Sequence, residues 1–106
     1  MDVFKLDDMI GGWFVGDFSP AAHSTGAVEV AVKRYKAGAT EAPHYHRVAA
    51  EITLILEGVA EMGGQRRTAG DIVKLAPGEV TGFAAITDVC TVVVKLPSVK
   101  GDKHPA

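Results

Sequence analysis

The chain has a single cysteine, Cys90, among 106 residues, so no disulfide can form within it. Folding without a disulfide is expected of a reducing compartment such as the cytoplasm. Long apolar runs are also missing, because no stretch approaches the roughly 18 consecutive apolar residues of a membrane-spanning helix. The first residues, MDVFKLDDMIGGWF, are acidic and lack the cationic start and apolar run of a signal peptide. We therefore expect no membrane anchor and no secretory leader.

An excess of positive charge is missing as well. The chain has 11 lysines and arginines against 13 aspartates and glutamates, with a formal net charge of −2. No basic cluster interleaves with aromatic residues, which disfavours nucleic-acid binding. The glycine-rich loops that bind nucleotides, GxGxxG and GxxxxGK, do not occur, so a nicotinamide cofactor is disfavoured too. The length predicts one domain, residues 1–106, around a single core.

Short apolar or alternating runs, separated by turns of glycine, proline and aspartate, fill most of the chain. Helical periodicity is confined to one predicted turn in DVFKLDDMI near the start. The spacing of the runs, about 8–12 residues, is typical of an all-β sandwich or barrel. The polar tail, residues 97–106, is expected to be loosely held. The predicted strands are residues 13–18, 28–35, 44–46, 52–57, 59–62, 65–68, 72–75, 82–86 and 90–96.

Some of these elements carry more specific expectations. Gly63-Gly64 lies between two short runs and fits a two-residue hairpin turn that needs positive φ. The last strand, 90–96, is almost wholly apolar and β-branched, as expected when both faces of a strand are covered. The early strands, 13–18 and 28–35, leave an apolar edge. Because proteins commonly cover such an edge by pairing subunits, we expect a homodimer.

Three side chains that can bind a metal ion lie close together in the segment PHYHRVAAE. Because side chains alternate along a strand, His44 and His46 point to the same face, about 6–7 Å apart at their Cα atoms. Residues 47–50 are enough for a turn, so the carboxylate of Glu51 can face the same interior from the next strand. Two imidazoles and one carboxylate with open positions suit iron(II), and also manganese, zinc or nickel. A surface histidine pair beside a solvated glutamate is the alternative.

The spacing around these residues resembles the first sequence motif of the cupin superfamily. The motif occupies residues 38–58, with Gly38, five residues, His44, one residue, His46, four residues, Glu51, six residues and Gly58. Every defining position is matched. The resemblance implies an all-β fold, a single cupin barrel of the double-stranded β-helix or jelly-roll type. It also implies a divalent metal ion bound by the two histidines and the glutamate.

The second cupin motif is recognisable at residues 70–81, with one chemical departure. Gly70, Asp71 and Gly78 match it, Ala76 replaces its first proline, and Thr81 stands at the position of its histidine. In cupins that histidine usually supplies a fourth protein ligand. Two interpretations stay open. Three ligands can still hold a metal, with water or substrate at the open positions, or the lost ligand marks a site that needs no metal.

The side chains that share strand faces with these positions are candidate walls of a substrate pocket, namely Thr53, Ile55, Thr81 and Phe83. A barrel of this size encloses a cavity suited to one small ligand. We expect a metal-dependent enzyme, an oxygenase or an isomerase, that acts on a small oxygen-rich substrate. Organic acids, hydroxy-ketones and sugar-like molecules belong to this class. The sequence assigns no catalytic residue beyond the ligand set.

Two other functions remain open, because this fold hosts many unrelated activities. Some small cupins isomerise keto-sugars without a metal, and the resemblance would then make His44 or His46 a general base and acid, since imidazole titrates near neutrality. Glu51 would orient one imidazole. The remaining alternative is a non-catalytic module that senses or sequesters a small molecule.

Overall fold

Eleven strands and two short 3-10 helices make up the computed structural model, which describes residues 1–106. The helices are Leu6–Asp8 and Ile10–Gly12. Neither they nor any other segment forms a helix long and apolar enough to cross a membrane. The strands are β1 Trp13–Gly16, β2 His23–Ser24, β3 Glu29–Tyr35, β4 Thr40–His46, β5 Ala50–Glu57, β6 Val59–Met62, β7 Gln65–Thr68, β8 Ile72–Leu75, β9 Thr81–Ala85, β10 Val89–Leu96 and β11 Lys103–Pro105.

The strands form two sheets. One has six strands in the order β2-β1-β3-β10-β5-β8, and the other has five in the order β11-β4-β9-β6-β7. All pairings are antiparallel except that of β1 with β2. The all-β fold class predicted from the sequence is confirmed. Consecutive strands β4 and β5 lie in different sheets, so the chain passes between the sheets inside the first motif.

The space between the sheets has an apolar end and a polar end. Alternating residues of each strand point inward, as the buried positions of β5, β9 and β10 show. At one end these residues form an apolar cluster, which consists of Ile55, Ala60, Met62, Phe83, Ala85 and Val89. Further along the same strands the inward residues are polar. The interior therefore offers a hydrophobic base beneath a polar chamber.

Local sequence signals fix several strands closely. Strands β6, β7 and β8 have the predicted bounds. The turn between β6 and β7 has φ of 63° at Gly63 and 76° at Gly64, which confirms the predicted positive-φ hairpin. In contrast, the two-residue strand β2 and the C-terminal β11 were not predicted, because neither segment shows the apolar alternation that identifies a strand.

The C-terminal tail differs from its expected loose arrangement. Strand β11 pairs with β4, with Lys103 opposite His46. Just before it, Asp102 is 7% exposed and accepts hydrogen bonds from the backbone N–H groups of Arg47, Val48 and Ala49, at 2.9–3.2 Å. The prediction of a loosely held tail, made from its polar composition, was wrong, because the polar side chain of Asp102 accepts hydrogen bonds from the backbone of a turn. The tail therefore holds the β4–β5 turn.

Strand β10 differs from expectation on its outer side. Its inward residues are buried, but Val92 and Val94 are partly exposed on the outer surface of the six-stranded sheet. Their register partners on both neighbouring strands are also apolar. Within the chain, one face of β10 is covered and the other is not. We call this surface the outer apolar face; it comprises Val30, Val32, Ile52, Leu54, Ile72, Val92 and Val94.

Candidate metal and substrate site

The predicted ligand residues meet in the polar chamber. His44 and His46 lie on β4 and Glu51 lies near the start of β5 in the other sheet, and all three residues are buried, at 6–9% exposure. One ligand atom from each residue lies within 4.8 Å of those of the other two. A surface histidine pair with a solvated glutamate is thereby excluded. The donor atoms stand close enough for one ion to bind all three.

His44 is held by a hydrogen bond to the main chain. Its Nδ1 lies 2.9 Å from the carbonyl oxygen of Ala42, so Nδ1 carries the proton and donates it. This tautomer leaves Nε2 with a free lone pair. A backbone carbonyl commonly orients a metal-binding imidazole in the same way. The ring of His46 is nearly perpendicular to that of His44, with 5.5 Å between the ring centres.

His46 lies between a carboxylate and an ammonium group. Its Nδ1 is 4.0 Å from Glu51 Oε1, and its Nε2 is 3.4 Å from Lys95 Nζ. Burial lowers the pKa of His46 to about 4, and the charges of Lys95 and His44 add to the effect. The imidazole is therefore neutral near pH 7, which is the form that binds metal ions.

Glu51 is a buried carboxylate without a strong partner of its own. Burial raises its pKa, while Lys95, His44 and a hydrogen bond from Thr53 oppose that rise. The Thr53 hydroxyl donates to Glu51 Oε2 at 3.4 Å. Because a cation beside the carboxylate would offset its cost of burial, the site fits a divalent ion. Two imidazoles and this carboxylate are a suitable donor set.

The predicted pocket walls divide into two groups. Thr53, Thr81 and Phe83 line a small cavity of about 30 Å³ beside the ligand residues. Thr81 pairs directly with His44 on the neighbouring strand, and its hydroxyl donates to the carbonyl oxygen of Gly82 at 2.9 Å. Thr81 thus lines the interior, as its place in the second motif predicts. Ile55, in contrast, is fully buried in the apolar cluster and does not line this cavity, so its prediction as a pocket wall is wrong.

A larger cavity of about 450 Å³ opens above the ligand residues, and much of its wall was not predicted. Lys33 and Tyr35 reach it from β3, Glu41 from β4 and Lys95 from β10. The missed signal is the alternation of β3, since Glu29, Ala31, Lys33 and Tyr35 share one face. The two charged residues on this face, Glu29 and Lys33, were the sequence clue that it lines a polar chamber.

Within this wall, Tyr35 and Glu41 form a hydrogen-bonded pair. The Tyr35 hydroxyl donates to Glu41 Oε2 at 3.0 Å, and Lys103 Nζ donates to Oε1 at 3.3 Å. Burial and the neighbouring Glu41 raise the pKa of Tyr35, so its hydroxyl keeps its proton. Burial alone would raise the pKa of Glu41, but the hydrogen bonds from Tyr35 and Lys103 lower it. Glu41 is therefore a carboxylate near neutral pH.

Aromatic and histidine side chains outside the ligand set have distinct places. Trp13 and Phe18 line the larger cavity and meet edge to face, with 6.4 Å between ring centres. Tyr45 points away from the ligand histidines and stacks on His104 of β11, at 5.3 Å between ring centres. His23 lies exposed on β2. No histidine besides His44 and His46 joins the candidate site.

Comparison with known proteins supports the architecture. Neither a protein-family model nor a curated protein matches the chain. Among solved structures, an uncharacterized conserved protein with a double-stranded β-helix domain from Klebsiella pneumoniae has a TM-score of 0.69 and 23% identity, covering 93% of this chain and 87% of that one. KdgF from Halomonas sp. has a TM-score of 0.65 and 21% identity, covering 71% and 74%.

A sugar phosphate isomerase of the cupin superfamily from Silicibacter pomeroyi is also similar. Its TM-score is 0.63 at 22% identity, and the match covers 68% of this chain. It covers 52% of the isomerase, so this chain spans about half the length of that protein. Likeness at these identities establishes the fold. The chain therefore has the cupin fold, the double-stranded β-helix barrel that its first motif predicts.

Proposed function

We propose that the chain binds one divalent metal ion on His44, His46 and Glu51 and is an enzyme that acts on a small oxygen-rich substrate. The observation that carries the proposal is the convergence of these three donors, within 4.8 Å, at the wall of a cavity of about 450 Å³. Cavities of this volume suit small organic molecules. An organic acid, a hydroxy-ketone or a sugar-like molecule is the substrate class, and the ion is iron, manganese, zinc or nickel.

A bound divalent ion would act as a Lewis acid toward substrate oxygens. Three protein ligands leave positions open for those oxygens, and Thr81 keeps the position of a fourth ligand free. The residues of the chain around the site supply hydrogen-bonding groups. Tyr35 is a neutral hydroxyl beside the carboxylate of Glu41, and the two lie on the cavity wall. The Tyr35 oxygen, whose own proton is donated to Glu41, is suited to accept a hydrogen bond from a substrate hydroxyl group.

Metal content tests the proposal directly. Untagged protein is incubated with iron(II), manganese(II), zinc(II) or nickel(II), desalted and measured by mass spectrometry, beside a His44→Ala/His46→Ala double variant. The matched control is His104→Ala, which removes a histidine outside the site. We expect near-stoichiometric metal in the parent and the control and little in the double variant. Parent protein that retains none of the four ions would contradict the proposal.

A second candidate is a metal-free isomerase that uses the histidine pair as acid and base. The observation that favours it is the 3.4 Å separation of Lys95 Nζ from His46 Nε2, because an ammonium already lies at a ligand nitrogen. One of the structural neighbours is a sugar phosphate isomerase, which agrees with this reaction class. Deuterium exchange beside the carbonyl of a keto-sugar, in chelator-treated protein, would favour it. Exchange that requires added metal would favour the first candidate.

We further propose that two copies of the chain pair through the outer apolar face. This face has apolar side chains on four adjacent strands, and Ile72 at its edge is 66% exposed. A two-fold axis through such a face would bring the same apolar residues of both copies together. The early-strand residues Trp13 and Phe18, by contrast, line the cavity. Light scattering at micromolar concentration should give the mass of a dimer, and a monomer would contradict the proposal.

The single cysteine still predicts a chain that folds without a disulfide, in a reducing compartment such as the cytoplasm. Cys90 is partly exposed on β10.

A further inference from the structure

Lys33 is a half-buried lysine in the larger cavity that forms no salt bridge. It lies on the inward face of β3, and its Nζ is 5.2 Å from the centre of the Trp13 ring. Lys95 approaches the same ring, with its Nζ 4.8 Å from the centre. Two ammonium groups therefore converge on one indole. An indole face attracts a cation, but it cannot neutralise two of them.

The carboxylate nearest to Lys95 is already shared by other donors. Glu29 Oε1 lies 3.1 Å from Lys95 Nζ, and Glu29 Oε2 accepts the hydroxyl hydrogen of Ser98 at 3.0 Å. The side chains of Glu29 and Lys95 are only 12% and 14% exposed, so this ion pair is shielded from water. Glu29 thus neutralises Lys95 but forms no salt bridge with Lys33.

The second carboxylate of the wall is committed as well. Both oxygens of Glu41 accept hydrogen bonds, one from Tyr35 and the other from Lys103. Burial lowers the pKa of Lys33; Glu41 opposes this shift, and Lys103 and Lys95 add to it. Lys33 thus lies in a place where burial disfavours its positive charge and the charge of Glu41 compensates for this only in part. A negatively charged ligand group would reverse that balance.

We propose that Lys33, together with Trp13 and Lys95, forms a subsite for a carboxylate or phosphate group of the substrate. The inference deepens the proposed function, because it narrows the small oxygen-rich substrate to one that carries an oxyanion. A lysine ammonium binds oxyanions as a compact point charge with three donors. The flat face of Trp13 would pack against the carbon skeleton next to that group.

Anion binding to the metal-free protein tests the subsite separately from the metal. Inorganic phosphate and malonate are titrated in separate calorimetric experiments into chelator-treated parent, Lys33→Met and Lys36→Met. Lys36 follows on the same segment of chain but its side chain is 92% exposed, so it controls for the loss of one positive charge. A Lys33→Arg variant and thermal unfolding of every variant report whether the barrel stays folded.

We expect saturable binding of at least one anion to the parent, weakened about tenfold or more in Lys33→Met. Binding should be unchanged in Lys36→Met and largely retained in Lys33→Arg. The tighter of the two anions identifies the group as phosphate or carboxylate. Binding that persists in His44→Ala/His46→Ala would support the subsite even if the protein retains no metal. No saturable binding to the parent, or equal binding by folded Lys33→Met, would overturn the inference.

Discussion

Thr81 lies directly opposite His44 in the antiparallel pair of β9 and β4. Directly paired residues on such strands have Cβ atoms about 4.5–5.5 Å apart. Thr81 is also buried, at 7% exposure, on the interior side of β9. A longer side chain at this position would reach the same space as His44. The backbone of the second motif therefore places residue 81 beside His44, and the histidine of that motif is absent only because residue 81 is a threonine.

We expect Thr81→His to strengthen zinc(II) binding by about tenfold or more, because it adds an imidazole as a fourth ligand to the two nitrogens and one carboxylate oxygen of the proposed site. The measurement is a competitive titration against a chelator of known affinity. Thr40→His is the matched control, since it places a histidine at an exposed position of β4. Equal zinc affinity in Thr81→His and the parent would contradict the proposed ligand geometry.

The turn between His46 and Glu51 should depend on a residue far away in the sequence. Asp102 accepts the backbone N–H groups of Arg47, Val48 and Ala49 through its two carboxylate oxygens. We expect Asp102→Asn to lower the free energy of unfolding by about 2 kcal/mol near neutral pH, because three backbone N–H donors, among them the buried one of Ala49, lose a charged acceptor. Urea unfolding measures this, and Asp2→Asn at the exposed N-terminus is the control.

The same carboxylate predicts a pH dependence. Burial alone would raise the pKa of Asp102, but the hydrogen bonds from Ala49, Val48 and Arg47 lower it below its ordinary value of 3.8. A carboxyl whose pKa is depressed by folding stabilises the folded state above its unfolded-state pKa, and this contribution disappears as pH falls through the folded-state value. The stability difference between parent and Asp102→Asn should therefore shrink as the pH falls through the ordinary value of 3.8 and on through the lower folded-state value. A difference that stays constant over this range would contradict the role of the charge.

The sequence predicted that His44, His46 and Glu51 lie close together, because the alternation of side chains along a strand fixes the face to which each one points. His44 and His46 share a face by alternation, and the glycines of the first motif mark the ends of the two strands. Gly58 shows why glycine is needed there, since a Cβ at this position would lie 2.0 Å from the carbonyl oxygen of Asp88. Such local rules also gave the bounds of β6 to β8.

The contacts between distant segments could not be predicted in this way. Strand β11 forms because β4 offers it an open edge and Asp102 finds three backbone donors, and neither fact is written in the residues 97–106 themselves. Lys95 was similarly missed. It interrupts an apolar strand in the sequence. Only the pairing of β10 with β3 places it beside Glu29, and only the packing of one sheet on the other brings it near His46.

The proposed dimer predicts the effect of a charge at the centre of the outer apolar face. Val92 lies between Val32 and Leu54 in the six-stranded sheet. In a dimer through this face, Val92→Lys would bury an unpaired ammonium, so we expect the dimer dissociation constant to rise about 100-fold or more. Sedimentation over a range of concentrations measures it. Glu61→Lys on the exposed side of β6 is the control, and a dimer of unchanged strength in Val92→Lys would place the interface elsewhere.

Replacing the buried Thr91 with valine should stabilise the folded protein. Thr91 is 1% exposed beside the small cavity, and its hydroxyl is the one buried side-chain polar atom without a hydrogen-bond partner in the protein. Valine has the same shape and removes the unsatisfied hydroxyl, so we expect Thr91→Val to raise the free energy of unfolding by about 1 kcal/mol. The midpoint of urea unfolding, at an unchanged slope, measures the gain.

Thr53→Val is the matched comparison for that variant, because the Thr53 hydroxyl donates to Glu51 and its loss should give no gain. A destabilised Thr91→Val would contradict the prediction and would indicate that water satisfies the hydroxyl in the cavity of about 30 Å³. In that case the threonine side chains that line the small cavity beside His44 would bind an ordered water molecule. A stabilised Thr91→Val would instead show that the unpaired hydroxyl lowers the stability of the folded protein. That hydroxyl would then be available to hydrogen-bond a ligand that enters the small cavity beside His44.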